Sequence, residues 1–113
     1  KILCFKKEMG SKQLGEVVHE EKTGDKVANN MEVVGDLLYT CLTDSVGVFK
    51  IDTSSGDLSL LQKFVADFSE KDACLNAFAV KDSVVATGGD DGVVRVFTLS
   101  KDGKTKISEA KFP

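Results

Sequence analysis

Residues 86–97 read ATGGDDGVVRVF, and they raise the question of chemistry first. Gly88, Gly89, Asp90, Asp91 and Gly92 follow two small residues and precede a valine-rich run that closes on Phe97. Such a stretch can be a phosphate cradle, a metal loop, or a tight turn between strands. A phosphate loop needs a Lys-Ser/Thr pair opening a helix, and a dinucleotide fingerprint places its glycines before a helix. Here a strand pattern follows instead. A calcium loop needs ligands at fixed spacing and a closing glutamate, which the adjacent Asp90 and Asp91 lack. Glycine supplies left-handed backbone and aspartate accepts N–H bonds in turns. Gly88–Gly92 is therefore read as a structural turn, with no metal, cofactor or catalytic residue assigned in this chain.

The remaining candidates are sparse. His19 is the only histidine, and no serine or cysteine nucleophile motif accompanies it, so it is read as a strand-end histidine bonded to backbone. Asp52, Asp57, Glu70 and Asp72 are read as turn acids, since a general acid–base pair needs a defined separation that the spacing does not supply. Phe64, Phe68, Phe78 and Phe97 are candidate core aromatics. The stretch KFVADFSEKDA offers an alternative for Phe68, presentation at a rim as an interaction residue. Cys4, Cys41 and Cys74 are an odd set, widely spaced among apolar neighbours. That pattern argues for buried free thiols rather than disulfides or zinc. With no Asn-x-Ser/Thr sequon, it fits a reducing, cytosolic setting.

Positioning these residues falls to strands. The 113-residue chain is long enough for one modest core. Its net charge of −3 provides no basic field for nucleic acid or an anionic membrane. The cluster Lys101, Lys104 and Lys106 is read as a solvated turn. No apolar stretch has the length of a membrane span or signal peptide, so no direct membrane contact is expected. Short runs rich in Val, Ile, Phe and Thr occur at 1–5, 13–19, 27–34, 36–42, 45–51, 58–65, 73–80, 83–88, 92–99 and 104–112. Gly, Asp and Ser turns separate them, and the only proline is Pro113. Period-two alternation between such turns is the signature of half-buried strands, so the expected fold class is an all-β antiparallel meander.

The pattern also repeats. Residues 27–65 and 73–112 each run strand, tight turn around Asp36 or Asp82, strand, acidic turn, strand, Gly/Asp turn and strand. The offset is roughly 46 residues, near the blade length of a β-propeller. Residues 1–20 would be trailing strands of an upstream blade, giving about two and a half four-stranded blades by this reckoning. Such a set does not close a ring, and the chain opens on Lys1, so a longer parent protein is expected. Open blade edges would then pair with the remainder of the propeller or with another copy of the chain.

ACLNAFAVKDSVVATGGDDGVVRVF resembles a WD repeat, with Phe97 in place of the usual Trp and no preceding Gly-His pair. In the first unit Phe49 or Ile51 takes the aromatic slot. HEEKTGDKVANNMEVVGDLLYTC, followed by VADFSEKDACLNAFAVKDSVVATGGDDGVVRVF, resembles the family of the prolactin regulatory element-binding protein and its yeast relative. These are endoplasmic-reticulum guanine nucleotide exchange factors for the Sar-type small GTPase. The similarity covers about Leu3 to Leu99, with its most informative parts at 29–38, 67–69 and 85–89.

The resemblance implies a WD-type propeller on the cytosolic face of the endoplasmic reticulum, anchored elsewhere by a C-terminal transmembrane helix. It implies a guanine-nucleotide releasing factor that starts COPII coat assembly for ER–Golgi protein transport. The catalytic element it implies is a potassium-holding loop with a critical Asn, expected upstream of Lys1. Asn29 and Asn30 are the nearest substitutes, but they fall in an expected strand. The alternatives are a non-catalytic WD scaffold for protein interactions and, with no visible catalytic grouping, a small β-domain enzyme centred on His19.

Overall fold

The computed structural model describes residues 2–5, 17–21, 28, 30–69 and 73–113. Its regular structure among these residues is entirely strand: β1 (Ile2–Phe5), β2 (Val17–Glu21), β3 (Asn30–Val34), β4 (Leu37–Cys41), β5 (Ser45–Ile51), β6 (Leu58–Val65), β7 (Leu75–Lys81), β8 (Val84–Gly89), β9 (Val94–Leu99) and β10 (Lys106–Phe112). Each strand coincides with one of the runs expected from alternation, with ends displaced by a few residues at most. All ladders are antiparallel. They form a two-stranded sheet β1-β2 and two four-stranded meanders, β3-β4-β5-β6 and β7-β8-β9-β10. Short connections impose this order, because an antiparallel neighbour needs only a tight turn.

The first turn of each meander sets the correspondence between the two sheets. Gly35 and Asp82 are the residues with left-handed backbone there, at φ 61° and 54°. Glycine meets no steric penalty in that conformation, and Asp is one of the few other residues that tolerates it. Val34 lies opposite Leu37 and Lys81 opposite Val84 across these turns. The backbone therefore matches Leu37 with Val84, one residue away from the match of Leu37 with Ser83 that an alignment of Asp36 with Asp82 gives. One residue matters, because a shift of one exchanges the faces of a strand. Leu38 pairs with Phe49 and Val85 with Phe97, so Phe49, not Ile51, is the counterpart of Phe97.

With that register the stacking is head to tail. Leu38, Phe49 and Leu58 pack with Ile2 of β1. On the other face of the same sheet, Leu37, Tyr39, Cys41, Val46 and Val48 pack with Leu75, Val85, Phe97 and Leu99. The Leu38/Phe49 face thus meets the sheet before it, and the equivalent Val85/Phe97 face also meets the sheet before it. The β3–β6 sheet is the middle layer, which is why β4 is buried along its whole length. In β9 burial alternates, and the face matching Leu37, Tyr39, Val46 and Val48 is open, with Val84 40% and Val94 45% exposed.

The inter-sheet seam is closed by rings and by backbone. Phe64 of β6 stacks on Phe97 of β9, with centroids 5.4 Å apart and planes 15° apart. The Lys106 ammonium lies 5.9 Å from each ring centroid. At one end of the seam Leu75 N–H donates across to the Thr43 carbonyl at 2.7 Å, and within the β3–β6 sheet Ala66 N–H donates to the Asp44 carbonyl at 2.7 Å, extending the β5–β6 ladder. These bonds tie the start of β7 and the end of β6 to the β4–β5 turn. At the other end Gly103 approaches so closely that a Cβ would lie 3.1 Å from Leu37 Cδ1 and Val48 Cγ1.

Candidate functional site: the acidic turn and the Arg95 clamp

The Gly-Asp run divides into strand and turn. Gly88 and Gly89 are the last residues of β8, with Gly88 opposite Ala77 on one side and Val94 on the other. The bend is narrower than the five residues expected, Asp90–Gly92, because Gly88 is held extended by ladder pairing on both sides and Gly89 by its pairing with Leu75. Gly89 is small for a different reason, since a Cβ there would come within 3.0 Å of the Phe68 ring and 3.1 Å of Asp91 Oδ1. Gly92, at φ 75°, is the left-handed residue, and its N–H donates to the Gly89 carbonyl at 3.1 Å. Among the described residues, nothing lies within 4 Å of where its Cβ would be. Gly92→Ala is thus expected to cost about 1 kcal/mol through backbone strain alone. Gly92→Asn should cost less, and urea unfolding of the two variants checks the order.

The two aspartates point to different work. Asp90 Oδ2 accepts the Cys74 N–H at 3.0 Å and Oδ1 accepts the Asn76 amide at 2.7 Å, which fastens the entry of β7. Asp91 Oδ1 accepts the Val93 N–H at 3.1 Å, and Oδ2 accepts Arg95 Nη2 at 2.7 Å. The carboxylates serve separate partners. Among the described residues, no three His, Cys, Asp or Glu side chains converge as a metal site would require.

Arg95 is the centre of the local electrostatics. Its alternation within β9 places it on the same face as Phe97, and its side chain is only 3% exposed. A buried guanidinium is stable only with its charge and donors matched. Nε donates to Asp67 Oδ1 at 3.1 Å, Asp91 takes the other edge, and the guanidinium carbon lies 5.0 Å from the Phe68 centroid. Lys111 of β10 binds the second oxygen of Asp67. The connection after β6 is thereby clamped to β9 and β10. Phe68, half-buried, is held between the guanidinium and Gly89 rather than projecting alone at a rim.

Hydrogen bonding by Lys111, then by backbone and Arg95, lowers Asp67 from 3.8 to about 2. The Arg95 guanidinium beside Asp91 likewise holds that carboxyl below the usual range. A carboxyl whose folded pKa is depressed stabilises the fold above its unfolded value and ceases to do so as pH falls through the folded value. Asp67 should therefore contribute fully above about pH 4 and lose its contribution between there and about pH 2. Asp67→Asn is expected to flatten that part of the acid-unfolding curve, as followed by circular dichroism. An unchanged acid limb would remove Asp67 from the clamp.

The opposite rim carries the turns 35–36, 52–57, 82–83 and 100–105. Asp52 and Asp102 are held low by their serine neighbours Ser54 and Ser100, and Asp36 by Lys50. Asp57 also lies in this rim, its Oδ2 accepting the Ser55 hydroxyl at 3.1 Å. An open groove of about 430 Å³ runs between the equivalent turns, lined by Asp36, Tyr39, Asp82, Ser83 and Lys101. Asn30 begins β3, and its Oδ1 accepts the Met31 N–H at 2.9 Å, a local strand contact that does not suit an ion-holding loop. Cys41 is buried, which pushes its thiol up, and Cys4 and Cys74 are partly buried; none of the three forms a disulfide. Asn29, Glu70 and Asp72 lie outside the described residues, as does the side chain of His19.

A scan against protein-family models finds no match for the chain, and a search of curated proteins finds none either. The clamp itself was not anticipated from sequence. Its one signal was Arg95, a charge at an inward position of VVRVF, in phase with Phe97.

Proposed function

We propose that the chain is a stretch of a WD-type β-propeller that serves as a rigid docking scaffold for a small GTPase. The observation that carries the propeller reading is the head-to-tail use of equivalent faces. Repeats joined by like-to-unlike contacts generate rings or open helices, whereas a two-layer sandwich joins its sheets once. Four-stranded meanders recurring at near-blade spacing favour the ring. The Arg95 clamp, the Phe64–Phe97 stack and the seam hydrogen bonds suit this role. The clamp and the seam hydrogen bonds fasten the turns 42–44 and 90–92 at one rim, so that binding a partner there costs little ordering.

The specific partner is proposed from the resemblance: a Sar-type GTPase, with the parent acting as its guanine nucleotide exchange factor in COPII assembly at the endoplasmic reticulum. An exchange factor works by binding the nucleotide-free state more tightly than the loaded state, the only way a partner can shift that equilibrium. In this reading the present residues supply scaffold and part of the docking face. No exchange step is assigned to any of them, and the potassium-holding loop of the resembled family has no counterpart in Asn30.

The test is release of a fluorescent GDP analogue from a Sar-type GTPase in the presence of the parent protein carrying this segment. A severalfold or greater acceleration is expected. Binding without acceleration would overturn the exchange reading in favour of a non-catalytic WD scaffold. Neither binding nor acceleration would overturn the GTPase as partner.

A further inference from the structure

Among the described residues, no strand pairs with the outer edge of β10. Every residue of it is exposed, Ile107 at 66% and Phe112 at 56%. An open strand edge is a row of backbone donors and acceptors that pairs with a compatible strand unless charge deters it. β10 carries Lys106, Glu109 and Lys111. Against an unrelated edge these charges discourage pairing, but against a second β10 they match. Antiparallel pairing about a two-fold axis through Ala110 sets Glu109 opposite the second copy's Lys111, twice by symmetry. Opposite charges directly across a ladder stabilise it and like charges destabilise it. The other outer edge, β6, has a single charge, Lys63, so no two-fold register gives it an opposite charge.

The intrachain pairs leave room for this contact. Glu109 already accepts Lys106 at 2.8 Å, and Lys111 binds Asp67. A carboxylate has about four acceptor positions and an ammonium three donors, so each can take one partner more. Ala110 lies opposite Val96 and Phe112 opposite Val94 on the open apolar face. Joining the edges would run that face unbroken across both copies.

We propose that the protein self-associates through β10 into a two-fold dimer, joining two β7–β10 sheets edge to edge. This does not rest on the exchange-factor reading. Sedimentation equilibrium at low salt tests it, with twice the chain mass expected. Glu109→Lys and Lys111→Glu should each weaken the dimer on the order of tenfold or more, since each places like charges together twice. The double variant Glu109→Lys/Lys111→Glu should restore it to within a few-fold of the wild type. Outward amides of β10 should also exchange more slowly as wild-type concentration rises, a readout that needs no variant. A wild-type monomer throughout, or a double variant no tighter than the singles, would overturn the proposal. So would a dimer abolished by Val94→Lys and untouched by Glu109→Lys, which would put the contact on the apolar face.

Discussion

Arg95→Ala is expected to lower the stability of the fold by about 3 kcal/mol, a large share of the 5–15 kcal/mol typical of a domain. The side chain is 3% exposed and meets three side chains on two segments: Asp91 at the turn, and Asp67 and the face of Phe68 in the connection after β6. Removing it leaves Asp91, itself only 16% exposed, without its principal partner, and empties the space its aliphatic stem filled. Asp67 is 59% exposed and keeps Lys111, so its loss of Arg95 is screened by solvent and costs less than the loss at Asp91. Arg95→Lys is expected to recover only part of the loss, because an ammonium cannot hold two carboxylates along two edges. Urea unfolding monitored by circular dichroism gives both values. A change below about 0.5 kcal/mol for Arg95→Ala would mean that the clamp is a surface ion pair with no structural role.

Phe97→Ala is expected to cost about 3–5 kcal/mol, the range for truncating a buried aromatic. Phe97 is 3% exposed, pairs with Val85 along the ladder, and stacks on Phe64 across the seam. Its removal should do more than leave a cavity, because that stack spans the two four-stranded sheets. If the sheets then melt separately, the denaturant dependence of unfolding will fall along with the midpoint, since each step exposes less surface. Phe97→Leu keeps most of the volume and should cost under about 1.5 kcal/mol. Equal costs for the two variants would indicate that the seam is not packed around this ring.

The strands were legible in the sequence because alternation and Gly, Asp and Ser turns are local signals. The existence of the repeat was legible for the same reason. Its phase was not. Asp36 and Asp82 are identical residues in equivalent turns, so residue identity alone aligns the two units on them. The chain instead aligns Gly35 with Asp82, because the left-handed backbone position decides where the next strand begins. That single residue separates a stack of equivalent faces from a stack of opposed ones. It also decides between Phe49 and Ile51 as the counterpart of Phe97.

The candidate site divided along the same line. The Asp90–Gly92 turn follows from short-range chemistry and could be read from seven or eight residues. The clamp joins Arg95 to Asp67 and Asp67 to Lys111, partners separated by 28 and 44 positions. Nothing local marks Asp67 as different from the other turn acids. Only the inward phase of Arg95 announces that some carboxylate must be waiting for it.

Head-to-tail stacking underlies both the propeller reading and the scaffold role, and a nuclear Overhauser experiment on methyl-labelled protein tests it most directly. The contacts expected are from the Gly103 Hα protons to the Leu37 and Val48 methyls, and from the Phe97 ring to Phe64. Contacts from Gly103 or Phe97 to Leu38 and Phe49 instead would place like faces together, make the molecule a two-layer sandwich, and contradict the repeat architecture.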